Sequence, residues 1–323
     1  MLKIAYLSKA RPDLKSRIPA DVEGVILEAG PGGVYSQEGL AGVAEVDAFI
    51  VSMEPVNEQI LAAAKRLKIV QRLGVGYETL DLKAAQRRGI PCCNIAGVNK
   101  EAVAEHGAAL ILALARHLLE SAELTGQGKW EASRLLTKTS FELDGKTLGV
   151  IGLGNTGSSL ARRCKALGMR IVYNDIRDID PAVVRELDAT FLPKSELFRQ
   201  SDVVSVNTDL NDQSRNMIGA ETLSMMRPHA LFVCCARGGI VDQAALRDAL
   251  NAGRIAGAGI DVFDPEPIAK DNPLLQAKNT ILTSHVAGVT DETTQRIYDW
   301  AHENVRRAVV HGQKPRWVLN AVT

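Results

Sequence analysis

The sequence has no excess of charge of either sign. Lys and Arg number 38 and Asp and Glu number 38 in 323 residues, so the formal net charge at pH 7 is zero. Without long-range attraction for a polyanion, nucleic acid and membrane surfaces are not expected as main partners, and a small-molecule substrate fits better. Long apolar runs are lacking as well. The most apolar stretch, residues 102–119, is interrupted by Glu105, His106 and Arg116, which leaves it too short and too charged to span a bilayer. It reads as a helix buried between domains. The opening run Met1-Leu-Lys-Ile-Ala-Tyr-Leu meets charge again at Lys9 and Arg11, so it reads as a first β-strand and not as a targeting segment. The expected compartment is the cytoplasm. Cysteine is scarce and wrongly spaced for a zinc site or a disulfide framework. Of the five, Cys92–Cys93 and Cys234–Cys235 are adjacent pairs and Cys164 stands alone. Buried thiols in a reducing compartment are expected, and no metal. No short repeat or low-complexity tract is visible.

What is present is an alternation of strand-like and helix-like runs. Residues 4–7, 24–27, 48–51, 69–73 and 90–93 are short apolar runs suited to parallel strands, with helices expected at 57–64 and 82–88. A second series begins near Lys146. Its strands are expected at 147–151, 170–174, 203–207, 231–235, 257–262 and 280–283, with helices near 158–167, 244–251 and 293–310. The pattern predicts an α/β protein with doubly wound parallel sheets. A helix from about 100 to 119 separates the two series, and the last helix has no strand after it within the second. The first domain is therefore expected to be discontinuous, 1–99 plus 291–323, around a second at 100–290. Residues 121–144 read as a long, mostly polar connection carrying Trp130. A connection of that length is unusual unless it packs on something, and a partner subunit is the natural candidate.

The strongest local motif is Gly152-Leu-Gly154-Asn-Thr-Gly157, after the apolar run Leu148-Gly-Val150-Ile151 and at the opening of a helical pattern. Gly152 permits the tight turn, Gly154 lets a pyrophosphate approach the backbone, and Gly157 lets helix and strand pack closely. The amides of Asn155 and Thr156 then sit at a helix N-terminus, where an anion is stabilised. Asp175 follows the next strand, where an acid would hold ribose hydroxyls. A carboxylate there repels the extra phosphate of NADP, which makes NAD the expected cofactor. Arg177 partly offsets that repulsion.

Three further segments end predicted strands, where open α/β sheets place their sites. They are Ala236-Arg237-Gly-Gly-Ile-Val-Asp242, Asp261-Val-Phe-Asp264-Pro-Glu266-Pro267 and Ser284-His285-Val-Ala-Gly288. Together with the glycine fingerprint, with Leu73-Gly-Val-Gly76-Tyr and with Val103-Ala-Glu-His106, this order resembles the signature of the D-2-hydroxyacid dehydrogenases over about residues 45–311. The resemblance implies two Rossmann-like domains with the active site in the interdomain cleft, a small 2-keto or 2-hydroxy acid as substrate, and a homodimer formed through the NAD-binding domain. It also implies cofactor contacts at Thr208, Cys234, Cys235, Ala236, Asp261 and Gly288. His106 falls where the resembling proteins begin an interdomain helix, and is expected to be structural.

The residue types make sense on their own chemistry. Hydride transfer to a 2-keto acid leaves an alkoxide that needs a proton. His285 supplies it, because imidazole titrates near neutrality. Glu266 orients the imidazole, and Arg237 offers a planar fork to the substrate carboxylate and adjacent carbonyl. The amides of Gly74, Val75 and Gly76 are candidates for the carboxylate's other side. Substrate choice is expected to depend on Met53, Glu54, Tyr77 and residues from the partner subunit. Residues 52–55 carry no basic cluster to grip a phosphate.

Four positions depart from the family pattern. Cys234 stands in place of Asn, Cys235 in place of Thr, Asp209 in place of Pro, and Ser284 in place of the Pro before the histidine. Two other readings stay open. One is a non-catalytic NAD(H)-sensing corepressor of the same fold, and the other is a formate-type oxidoreductase, whose pattern has Gln where Glu266 stands. From Asp175, the protein is expected to bind NADH more tightly than NADPH, and Asp175→Ala to narrow the gap. Fluorescence titrations giving equal affinities for the unmodified protein would overturn that assignment.

Overall fold

The computed structural model describes residues 1–9 and 12–322. They form two compact units, one of residues 1–98 and 290–323 and the other of residues 99–289. In chain order the first contains β1 (Leu2–Leu7), α1 (Pro12–Ser16), β2 (Val22–Leu27), α2 (Gln37–Gly42), β3 (Ala48–Val51), α3 (Glu58–Ala63), β4 (Ile69–Arg72), α4 (Leu82–Arg87) and β5 (Cys92–Cys93). The second contains α5 (Lys100–Ala115), α6 (Leu118–Gly126), α7 (Trp130–Leu135), β6 (Thr147–Ile151), α8 (Asn155–Ala166), β7 (Arg170–Asn174), α9 (Pro181–Leu187) and β8 (Thr190–Phe191). It continues with α10 (Lys194–Gln200), β9 (Val203–Val206), α11 (Ala220–Met225), β10 (Leu231–Cys234), α12 (Gln243–Asn251), β11 (Gly257–Ile260) and β12 (Thr280–Leu282). The final helix, α13 (Asp291–Val309), returns to the first unit.

Both sheets are parallel throughout. The first has five strands in the order β2-β1-β3-β4-β5, and the second has seven in the order β12-β11-β10-β9-β6-β7-β8. Each order reverses once, between β1 and β3 and between β6 and β9. Those reversals are the switch points at which doubly wound sheets open a crevice at their carboxyl ends.

Strand composition explains why both faces are covered. Side chains alternate across a strand. In β1, Ala5 and Leu7 pack with Phe49, Val51 and Val70 on one face. Ile4 and Tyr6 pack with Ile50, Ile69 and the α13 residues Tyr298, Ala301 and Val305 on the other. In β10, Phe232 and Cys234 face Val204, Val206 and Ile260. Leu231 and Val233 face Leu148, Val150 and the α5 residues Leu110, Ile111 and Leu114. A strand buried on two sides reads as an unbroken apolar run, which is how most of them appear in the sequence.

Several expectations are corrected. The helix expected over 100–119 ends at Ala115, because His117 takes a left-handed conformation with φ 48°, and α6 starts immediately after it. The stretch 121–144, expected as a connection, carries the rest of α6 and all of α7. Its polar residues are helix-surface residues, and the small ones join the two helices, Ser121 Oγ lying 2.8 Å from Ser133 Oγ. Helices α2, α9, α10 and α11 and strand β8 were not expected. They are short, and polar or exposed residues break their periodicity. Strand β5 has only Cys92 and Cys93 of the four residues expected. Among the described residues no single helix is long and apolar enough to cross a membrane.

Buried polar groups fix α13 on its sheet. Asn304 Nδ2 donates to Gln71 Oε1 at 2.6 Å and to the Arg316 carbonyl at 3.1 Å. His302 Nε2 lies 2.8 Å from the Tyr6 hydroxyl. Burial, reinforced by nearby Arg306, pushes the His302 imidazole down to about 4, so the ring is neutral and accepts the Tyr6 proton. The sign of the linkage follows. The folded state disfavours the charged form, so this contribution is fully present above the unfolded pKa of about 6.5 and is lost as pH falls toward 4. The loss is on the order of 2–3 kcal/mol. Urea titrations at pH 7.5 and pH 4.5 are expected to show that decline, and His302→Gln is expected to start less stable and decline less. An equal pH dependence in the two proteins would contradict this role.

Candidate active site

The glycine turn between β6 and α8 is a cradle that larger residues would fill. Gly152 has φ 88°, and a Cβ on Gly157 would lie 2.0 Å from the Gly152 carbonyl oxygen. Helix α8 therefore begins at Asn155, directly after Gly154, three residues earlier than the apolar pattern suggests. The first amides of a helix have no partner within it and suit an anion. Asp175, at the end of β7, closes the turn from the side. Its Oδ2 accepts from the Leu153 amide at 2.9 Å, and its Oδ1 accepts from the Arg177 amide at 3.0 Å and from Arg177 Nε at 3.3 Å. The Arg177 guanidinium lies over Gly154, where a Cβ would meet Nη2 at 2.9 Å. A bare glycine backbone, a helix N-terminus and a cation together suit a pyrophosphate. The Asn207 carbonyl and Thr208 amide border the same turn from the end of β9.

The residues after β10 divide. Cys234 is fully buried beneath the turn, its Sγ 4.0 Å from the Arg237 carbonyl oxygen, and burial pushes its thiol up to about 11. Cys235 is half-buried, and burial raises its thiol well above the ordinary value. Both are free thiols, protonated at neutral pH and therefore poor nucleophiles, which favours packing over redox chemistry. Arg237 is half-buried, with Nη1 donating to the Ala236 carbonyl at 2.8 Å. Gly238 brings this turn against the segment after β11. A Cβ there would lie 2.0 Å from the Phe263 carbonyl carbon, so no other residue fits.

Glu266 and His285 meet at the ends of β11 and β12. Glu266 Oε1 accepts from the Phe263 amide at 2.9 Å, and its Oε2 lies 2.6 Å from His285 Nδ1. A carboxylate can only accept, so Nδ1 carries the proton and Nε2 is the nitrogen turned away from Glu266. His285 is exposed and takes φ 56°. That conformation is uncommon for a residue with a Cβ and persists where the surroundings impose it. Here the imposing group is Asp261. Its carbonyl accepts the His285 amide at 2.7 Å, and its carboxylate accepts the Val286 and Ala287 amides at 3.0 Å each. Asp261 was expected at the cofactor. It is fully buried, and its carboxylate is turned into this loop. Gly288 packs on the Asn99 side chain.

In the first unit, the Gly74-Val75-Gly76 turn follows β4. All three carbonyls are tied inward: Gly74 to the Ile95 amide at 3.0 Å, Val75 to Asn94 Nδ2 at 2.8 Å, and Gly76 to Arg72 Nε at 2.9 Å. Arg72 is buried, and also donates to the Val51 carbonyl at 3.2 Å and lies 3.1 Å from Met53 Sδ. It joins the turn to the loop after β3. Met53 and Tyr77 are exposed and Glu54 is buried, accepting from the Ala29 amide at 3.2 Å. Sequence reasoning missed Arg72 and Asn94, although a cation inside an apolar strand was a signal for the first.

Comparison with known proteins shows the family. Residues 108–287 match the model of the D-isomer specific 2-hydroxyacid dehydrogenase NAD binding domain. The chain belongs to the D-isomer specific 2-hydroxyacid dehydrogenase family. It is 39% identical over 281 residues to the glyoxylate reductase of Korarchaeum cryptofilum, covering 86% of this chain and 84% of that protein. It is 38% identical over 265 residues to the D-3-phosphoglycerate dehydrogenase of Archaeoglobus fulgidus, covering 80% of this chain and 49% of that one. The apo structure of Rhodotorula graminis D-mandelate dehydrogenase superposes with a TM-score of 0.88 at 27% identity, covering 100% of this chain and 98% of that one. Among the described residues no group of three or more His, Cys, Asp or Glu side chains could hold a metal ion.

Proposed function

We propose that this dehydrogenase interconverts a D-2-hydroxy acid and its 2-keto acid with NAD(H), using His285 as the acid and base. The observation that carries the reading is the 2.6 Å contact of His285 Nδ1 with Glu266. It fixes the tautomer, holds the ring, and turns Nε2 outward, as proton transfer requires. The cofactor, when bound, supplies or accepts the hydride. Gly152, Gly154, Asn155, Thr156 and Gly157 hold its phosphates, with Asp175 at the ribose and Thr208, Cys235 and Ala236 lining the neighbouring strand ends. Arg237 and the amides of Gly74, Val75 and Gly76 hold the substrate carboxylate. His285 Nε2 donates a proton to the substrate oxygen during reduction and removes it during oxidation. Residues 1–98 and 290–323 serve as the substrate-binding domain, and residues 99–289 as the NAD-binding domain.

The relatives named glyoxylate reductase support a small 2-keto acid. The absence of a basic residue from 52–55 disfavours a phosphorylated one. The second unit also presents apolar side chains on α6 and α7. Leu118, Leu119, Trp130 and Leu135 are all exposed, a patch that suits a second copy of the chain.

NADH oxidation is to be followed with a panel that includes glyoxylate, hydroxypyruvate and larger 2-keto acids. His285→Ala is expected to lose about 10²–10⁴ in kcat while keeping NADH affinity. Arg237→Ala is expected to raise KM as well as lower kcat, because its clamp acts before and during transfer. Near-normal turnover by His285→Ala would show the acid/base assignment to be wrong, and NADH binding without turnover of any keto acid would favour the sensing alternative. For assembly, light scattering at micromolar concentration is expected to give twice the 34.8 kDa chain mass; a monomer mass would remove the dimer.

A further inference from the structure

The loop that carries His285 is held at both ends by one helix. Asp261, fully buried on the inner side of that loop, accepts the Thr283 hydroxyl on Oδ1 at 2.6 Å. Oδ1 also takes the Val286 amide and Oδ2 the Ala287 amide. A buried carboxylate is tolerated only when donors replace its lost water, and here the donors belong to the loop itself. Beyond Thr283 stands His106, on the second turn of α5. Its Nε2 is 3.0 Å from Thr283 Oγ1 and 3.7 Å from Asp261 Oδ1. A threonine hydroxyl has one proton, and this one is committed to the carboxylate, so His106 Nε2 must carry a hydrogen and donate it to Thr283. At the other end of the loop, Gly288 lies on Asn99, where a Cβ would meet Nδ2 at 2.6 Å. Residues 99 and 106 are two helical turns apart and share a face, so α5 sets the span across which the loop is held.

We propose that His106 and Thr283 are positioning residues for proton transfer by His285. His106 fixes the Thr283 hydroxyl, Thr283 fixes the Asp261 carboxylate, and Asp261 holds the two amides that follow His285. Neither His106 nor Thr283 touches the substrate. Their effect is on where Nε2 stands, and a misplacement near 1 Å costs a proton-transfer step on the order of 10²-fold. The proposal rests on the acid/base reading of His285.

The test uses the full chain, NADH and whichever 2-keto acid in the panel has the highest kcat/KM. Thr283→Val keeps the volume and removes the hydroxyl, whereas Thr283→Ser keeps the hydroxyl. His106→Leu removes the donor, whereas His106→Gln supplies a side-chain amide that reaches as far as Nε2. Thr283→Val and His106→Leu are expected to lower kcat by about ten- to a hundredfold. The solvent deuterium isotope effect on kcat rises, because the proton step becomes limiting, while KM and NADH affinity stay within about twofold. Thr283→Ser and His106→Gln are expected to recover most of the rate. If His106→Leu does not fold, His106→Asn, whose amide is too short to reach Thr283, takes its place. Folded Val and Leu variants with unchanged kcat and isotope effect would overturn the proposal. So would losses confined to KM or to NADH affinity, or losses that Ser and Gln fail to repair. His285→Ala separates the two claims. If it stays active, the acid/base reading itself falls; if it is inactive while the Val and Leu variants are normal, only the positioning role falls.

Discussion

Parallel pairing is the constraint on which the rest depends. A parallel pair cannot be joined by a hairpin, so each strand is followed by a crossover, and the crossovers cover both faces of the sheet. Two consequences follow in this chain. Central strands are apolar on both sides, as β1 and β10 are, whereas the edge strands β2 and β8 carry exposed residues. Every carboxyl end must also lie along one edge. In the second unit the glycine turn after β6, Asp175 after β7, Thr208 after β9, Arg237 after β10, Glu266 after β11 and His285 after β12 are thereby gathered from residues 152–285 onto a single rim. The chemistry is spread along the sequence because the sheet collects it in space.

That logic also explains what could be read in advance. Strands buried on two faces announce themselves as apolar runs, and most of both sheets was legible for that reason, the exposed edge strand β8 excepted. The fingerprint was legible because Gly152, with φ 88°, and Gly157, packed on the Gly152 carbonyl, answer a backbone requirement that no other residue meets. Glu266 and His285 were picked out as a pair from their separate segments, and the fold brings them within 2.6 Å of each other. The short helices α9, α10 and α11 were not legible, since a helix of two turns contributes too little periodicity to stand out from its flanks. Nor was the break at His117, where one residue in a left-handed conformation divides what reads as a continuous helix. The apparent loop at 121–144 was misread because polar composition marks a solvated helix face as readily as a connection.

Asp261 shows what a sequence does not record. By position it belonged with the cofactor contacts. In the structure its charge is spent on the amides of Val286 and Ala287 and on Thr283. A sequence records that an acid is present, but it does not show which way the carboxylate faces. Depth is not recorded either: Cys234, also expected at the cofactor, is fully buried beneath the Arg237 turn. Arg72 is the opposite case. It was read as part of a strand, yet it ties the Gly76 turn to the loop after β3.

Asp175 carries two obligations that cannot be separated by substitution. One carboxylate oxygen restrains the Leu153 amide in the glycine turn, and the other collects the Arg177 backbone and guanidinium. Replacing the acid to admit a different dinucleotide would therefore also slacken the glycine turn proposed for the pyrophosphate, and would free an arginine now held over Gly154. An engineer seeking to change coenzyme while keeping the turn intact would begin at the exposed neighbours Ile176 and Arg177, and leave the carboxylate in place.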